Sequence, residues 1–185
     1  GMGATVLSAA TTIGQIPEYY FQAVGSGTGA IAAWEANQRL LDDGRFGRNK
    51  MKLMVSQNAP FVPLHDAWQV RSRAMLPFDE NEARRQVEHI DAKVLSNRKP
   101  PYSLAGGLFD ALSDSGGDVL VATNEEARAA ANLFERTEGV DIHPAAAVAT
   151  ATLVESARNG RVNPDALIML NITGGGENKY KTEKK

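Results

Sequence analysis

The chain has 185 residues, 20 Lys plus Arg against 22 Asp plus Glu, no Cys, and 43% of its residues in the hydrophobic set. A chain of this length buries roughly 70% of the surface its unfolded form exposes, so a real core is available and disorder is disfavoured. The formal net charge of −2, with both signs spread along the chain, offers neither the basic stripe of a nucleic-acid binder nor a membrane-surface face, and without Cys there are no disulfides, thiolate metal ligands or Cys nucleophile.

Residues 19–24 are β-rich and stop at Gly25, after which residues 28–41 place Ile31, Trp34, Leu40 and Leu41 near one helical stripe, with Gly44 as the stop. Residues 52–56 read as a second strand. Pro60 and Pro63 open a mostly helical stretch that runs to Leu112, with breaks at Pro77 and Pro100-Pro101. A turn cluster over residues 113–117 leads into Val119-Leu120-Val121-Ala122, an apolar run short enough to be a strand covered on both faces. Asn124 is the expected cap of the next helix, with Glu125 and Glu126 in its first turn, Arg136 in its last and Gly139 at its end. Pro144 suits the first position of a further helix that Gly160 closes. Residues 166–170 form a last apolar strand, which runs into Asn171-Ile172-Thr173-Gly174-Gly175-Gly176. Alternating strands and helices, with the strands continuously apolar, predict a three-layer α/β fold: a mostly parallel sheet of about four strands with helices on both faces. One domain is expected over residues 2–176, followed by a charged, frayed tail at 177–185.

No stretch reaches the ~18 uncharged apolar residues of a membrane span, and no signal peptide is legible, so a soluble, cytoplasmic protein is expected. The three His residues, His65, His89 and His143, form no close pair for a metal. His65-Asp66 reads as a surface pair, since adjacent helical residues point in different directions. His89 reads as solvated and His143 as a helix-start residue. Arg71, Arg73, Arg84 and Arg85 read as a solvated face that could meet an anionic substrate only if this segment folds over the sheet rim.

In a parallel sheet of this kind, ligands bind outside the carboxyl ends of the strands. Two of those ends are glycine-rich: Gly25-Ser26-Gly27-Thr28-Gly29 and Thr173-Gly174-Gly175-Gly176. In the first, the glycines let backbone approach an anion, the amides of the following helix start point at it, and the Ser26 and Thr28 hydroxyls can donate, which suits a phosphate. A P-loop is excluded because no Lys-Ser or Lys-Thr follows these glycines. A dinucleotide site would need an acid at the end of the next strand to hold the ribose, and Ser56-Gln57-Asn58 stands there instead. The same absence weakens an S-adenosylmethionine site, so a phosphate ligand without a ribose fits best.

Three features in order now bear on family: Val24-Gly25-Ser26-Gly27-Thr28-Gly29 before an Ala-rich helix, Glu138-Gly139 followed by Pro144-Ala145-Ala146-Ala147, and a last apolar strand ending in Thr173-Gly174. Together they resemble the C-terminal half of the fold-type II pyridoxal-phosphate enzymes, over nearly the whole chain from Thr5 to about Gly176. Residues 30–35 and 100–104 look most like the cysteate synthase branch, with threonine synthase beside it. The resemblance implies pyridoxal 5'-phosphate as cofactor, its phosphate cradled by Gly25, Ser26, Gly27, Thr28 and Gly29, and its pyridine nitrogen facing Thr173. It also implies a small phosphorylated amino-acid substrate: phosphoserine with sulfite for cysteate, or phosphohomoserine with water for threonine.

Family members hold the cofactor covalently through a Lys in their N-terminal half, and no Lys here stands in a matching context. No catalytic residue is therefore assigned. The chain reads as the C-terminal segment of a longer enzyme, inactive alone, with an apolar face that favours a homodimer or aggregation. Two other classes remain open, an S-adenosylmethionine- or nucleotide-binding α/β enzyme and a non-catalytic binding or oligomer module.

Overall fold

The structure is a computed structural model in which residues 1–177 are described; most of the tail expected at 177–185 lies outside the described residues. Four strands, β1 (Tyr19–Ala23), β2 (Lys52–Asn58), β3 (Asp118–Ala122) and β4 (Ile168–Leu170), form one sheet in the order β3-β2-β1-β4. All three pairings are parallel. The register runs from Tyr19↔Lys52 to Ala23↔Ser56, from Met54↔Asp118 to Asn58↔Ala122, and from Tyr19↔Ile168 to Phe21↔Leu170.

Side chains alternate across the sheet, as strand geometry requires. Tyr20, Leu53 and Val55 pack into a cluster with α1 (Ala4–Ile13), α2 (Thr28–Asp43), α3 (Pro63–Gln69) and α5 (Leu108–Ser115). Phe21 and Met54 face the opposite way, and Ala23 joins α6 (Asn124–Glu138) and α7 (Pro144–Arg158). This is the three-layer α/β arrangement expected from the alternation of elements. The Ala-rich sequence of α7 explains its place: residues 145–152 are all buried, and small side chains let the helix lie against both the sheet and α6.

The structure adds or corrects several elements. Helix α1 has no charged residue and many β-branched ones, so its propensity is weak and tertiary packing decides its state. Val6 and Ala10 are buried one turn apart, and a Cβ on Gly3 would stand 3.0 Å from the carbonyl oxygen of Ala32 in α2. The stretch after Pro63 resolves into α3, α4 (Glu80–His89), a 3₁₀ turn at Lys93–Leu95, and α5, which continues through Ser115 before Gly116 ends it in the left-handed region. The cap of α6 is Thr123, not Asn124: Thr123 accepts from the Glu126 amide and Glu126 reaches back to the Thr123 amide, a capping box. Asn124 instead ties the incoming chain, its Nδ2 donating to His89 O at 2.6 Å and its Oδ1 accepting from the Asp91 amide at 3.0 Å.

Candidate functional site

Because β1 and β4 are parallel neighbours, the two glycine-rich segments leave the same edge of the sheet side by side. The Asn171 amide donates to Phe21 O at 2.9 Å, so the register continues past β4 and sets Asn171 opposite Gln22, with Thr173 two residues further on. Thr173 is exposed. Its loop is anchored from the other side, since the His143 amide donates to Gly174 O at 2.9 Å and the Gly176 amide to Asp141 O at 2.7 Å. A Cβ on Gly175 would lie 2.3 Å from Asp141 O, so only glycine permits this approach. His143 caps α7, as its position before Pro144 suggested, with Nδ1 accepting from the Ala145 amide.

The first loop turns on Gly27, which holds φ 81° as the residue before α2. Ser26 Oγ and Thr28 Oγ1 lie 2.9 Å apart, and the Thr28 amide donates to Ser26 Oγ at 3.3 Å. By helix geometry the amides of Gly29 and Ala30 have no carbonyl four residues back within α2, and the first turn carries no acidic residue. All three glycines are pressed against protein on their inner side. A Cβ on Gly25 would stand 3.1 Å from Leu95 Cα and from Leu95 and Val94 carbonyls, one on Gly27 2.7 Å from Leu108 Cδ2, and one on Gly29 2.6 Å from Gln22 Nε2. The turn therefore has its back filled, with Thr28 exposed, Gly25, Ser26 and Gly29 half-buried, and Gly27 buried. A half-buried Gly29 whose amide has no partner within the helix, two hydroxyls and a first turn without an acid suit a phosphate, and a neutral hydroxyl on the adjacent strand end suits a pyridine ring; the residues present fit pyridoxal 5'-phosphate on both counts.

The segment that backs Gly25 escaped sequence reasoning. Residues 89–95 are pinned across the strand ends: the Ala92 amide donates to Asn58 Oδ1 at 3.1 Å, and Arg128 holds Asp91 through two bonds of 2.7 and 2.9 Å. Nothing in its composition marks it, because the contacts to Gly25 are made by backbone.

The end of β2 presents no acid for a ribose; its side chains mostly serve the fold, although Gln57 Nε2 is buried without a hydrogen-bond partner. Gln57 Oε1 accepts from the Leu64 and His65 amides, and Asn58 Nδ2 donates to Ala122 O. The described lysines are engaged elsewhere or exposed. Lys50 pairs with Asp114, Lys52 lies over the Tyr19 ring, Lys93 caps α4 through Val87 O and Glu88 O, and Lys99 is exposed. The four arginines are not gathered on one anion: Arg71 stacks on Trp68, Arg73 pairs with Asp110, Arg85 pairs with Glu82, and Arg84 is exposed. His65 and Asp66 form a part-exposed pair at 3.2 Å, and His89 bonds back to Arg85 O at the end of α4. Among the described residues there is no His, Asp and Glu cluster that could hold a metal, and no helix long and apolar enough to cross a membrane.

A profile of the pyridoxal-phosphate dependent enzyme family matches residues 1–174. Cysteate synthase of Methanosarcina barkeri is 51% identical over 184 residues, which is 99% of this chain and 44% of that protein. Cysteate synthase of Methanosarcina mazei is 50% identical with the same coverage. The chain thus spans less than half the length of the curated relatives it matches. Among solved structures, L-serine ammonia-lyase from the fungus Rhizomucor miehei superposes with a TM-score of 0.68 at 12% identity, over 100% of this chain and 55% of that one. A pyridoxal 5'-phosphate-dependent aspartate racemase does so with a TM-score of 0.64 at 13% identity, over 95% of this chain and 48% of that one. These two likenesses show the fold.

Proposed function

Since this chain belongs to the pyridoxal-phosphate dependent enzyme family, we propose that it supplies the phosphate cradle and the ring-nitrogen contact of a cysteate synthase, and that the covalent Lys comes from sequence outside it. The observation that carries the reading is the pair of glycine loops side by side on one rim, one at a helix start with two hydroxyls and no acid in its first turn, the other opening with the neutral hydroxyl of Thr173.

The backbone of residues 25–29, with the Ser26 and Thr28 hydroxyls, would hold the cofactor phosphate, and the dipole of the 16-residue α2 favours its negative charge. When bound, the cofactor supplies an electron sink for chemistry at Cα and Cβ of an amino acid. Thr173 would meet the pyridine nitrogen with a hydroxyl that carries no charge. Such a partner does not hold the nitrogen protonated as a carboxylate would, so the sink stays weak and β-elimination with replacement is favoured over transamination. For a cysteate synthase the substrate is phosphoserine and the incoming nucleophile sulfite; phosphohomoserine with water, for threonine, is the second reading, which the 51% identity to cysteate synthase disfavours. Residues 1–17 contain no charged side chain, and Met2, Leu7 and Ile13 are exposed, which fits a face that more protein covers.

The test is a chimera that joins this chain to the part of Methanosarcina barkeri cysteate synthase it does not match. Formation of cysteate and phosphate from phosphoserine and sulfite is expected of the chimera and not of the chain alone. Cysteate from the chain alone, or threonine from phosphohomoserine as the chimera's product, would contradict the proposal.

A further inference from the structure

Between the two loops lies a polar chain, buried at its centre and half-buried at its ends, that the proposed chemistry does not use. Tyr20 in β1 is 1% exposed, yet its phenol oxygen accepts from Asn171 Nδ2 at 2.8 Å and its hydroxyl donates to Gln22 Oε1 at 2.8 Å. Gln22 is in turn wedged beneath the first turn of α2. Both its terminal atoms would fall within 2.9 Å of a Cβ on Gly29, so the amide rests against that glycine's backbone. At the other end, Asn171 lies two residues before Thr173 and is held to β1 by its own backbone bond to Phe21 O.

The surroundings of this chain are apolar: Tyr20 shares its layer with Val24, Ala30, Ala33 and Leu53. An aliphatic or phenyl set would fill the same volume without the desolvation of three polar groups. What the polar chain adds is a fixed length, since each bond sets a distance and a direction that an apolar contact does not. Burial pushes the Tyr20 phenol up to about 12, so it stays a donor at any ordinary pH.

We propose that the Asn171–Tyr20–Gln22 hydrogen-bond chain is a positioning device that fixes the spacing between the phosphate cradle at Gly29 and the strand-end hydroxyl at Thr173. The inference rests on the cofactor reading above and deepens it. A ligand that spans both ends of the site depends on that spacing, whereas one that occupies the cradle alone does not.

The experiment compares Tyr20→Phe with the wild-type chain. It measures the dissociation constant for pyridoxal 5'-phosphate, the constant for inorganic phosphate by competition, and the melting temperature. Loss of one part-buried hydrogen-bond link is expected to weaken pyridoxal phosphate about tenfold while leaving inorganic phosphate within about twofold. Gln22→Met, which breaks the chain from the cradle side and keeps the volume, should show the same selective loss, and it serves if Tyr20→Phe folds poorly. A purely structural role would lower the melting temperature with both affinities unchanged or both reduced alike, and either pattern overturns the inference. A wild-type chain that ignores pyridoxal phosphate would overturn the cofactor reading itself.

Discussion

Gly25 lies so close to Leu95 that a Cβ on the glycine would stand 3.1 Å from both the Cα and the carbonyl oxygen of the leucine. The contact is backbone against backbone, which cannot rotate away. Gly25→Ala should therefore cost about 1–3 kcal/mol by overpacking. In a domain of this size that lowers the melting temperature by roughly 2–4 °C per kcal/mol, readable by calorimetry. An unchanged melt would mean that residues 89–95 are not seated on the strand end as described.

Thr123 tests the corrected start of α6. Thr123→Ala removes the acceptor of the Glu126 amide and one half of the capping box, and a loss of about 1 kcal/mol is expected in a denaturant melt. Asn124→Ala acts elsewhere, releasing His89 O and the Asp91 amide, so its effect should appear as faster amide exchange in residues 89–95 rather than fraying of α6.

Acid stability should depend on Asp114 and Asp110. Lys50, followed by the Trp34 indole and the Gln38 amide, holds the Asp114 carboxyl below its ordinary range, and Arg73 with the Gly106 amide does the same for Asp110. For a carboxyl whose folded pKa is depressed, the unfolded state takes up protons first as pH falls. The stabilisation is thus complete above about pH 4–5 and is lost as pH drops through the carboxylate range. Asp114→Asn should flatten part of the acid limb of stability against pH, and a limb of unchanged slope would count against the clamp.

The alkaline limb has the opposite origin. Burial pushes the phenols of Tyr20 and Tyr102 up to about 12. Unfolded tyrosines ionise near 10, so stability is full below that pH and falls between about 10 and 12 as the unfolded state loses protons that the folded state retains. Absorbance titration of the phenolates should show two groups that ionise late, together with unfolding. Tyr20→Phe should remove one of them.

Much of this architecture was legible because it rests on local signals. The apolar runs of β2 and β3, the αL glycines Gly44 and Gly139 that end α2 and α6, and the order of glycine loops all act within a few residues of where they are read. What was missed acts at long range. Helix α1 has a composition that could equally be strand, and its burial of Val6 and Ala10 is decided by α2. The support of Gly25 by Leu95 is a contact across about 70 positions made by backbone alone. Tyr20 and Asn171 lie at opposite ends of the chain, and no spacing rule joins a tyrosine in one strand to an asparagine after another until their register is known.

If residues 25–29 cradle the phosphate of pyridoxal 5'-phosphate, the thermal stability of this chain must respond to that ligand through its phosphate. Ligand at about ten times its dissociation constant adds about 1.4 kcal/mol, or roughly 3–6 °C in the melt. A shift is expected with pyridoxal 5'-phosphate, none with pyridoxal, and loss of the shift in Gly27→Val, judged against that variant's own unliganded melt. A shift with S-adenosylmethionine or NAD in place of pyridoxal 5'-phosphate, or an equal response to pyridoxal without its phosphate, would contradict it.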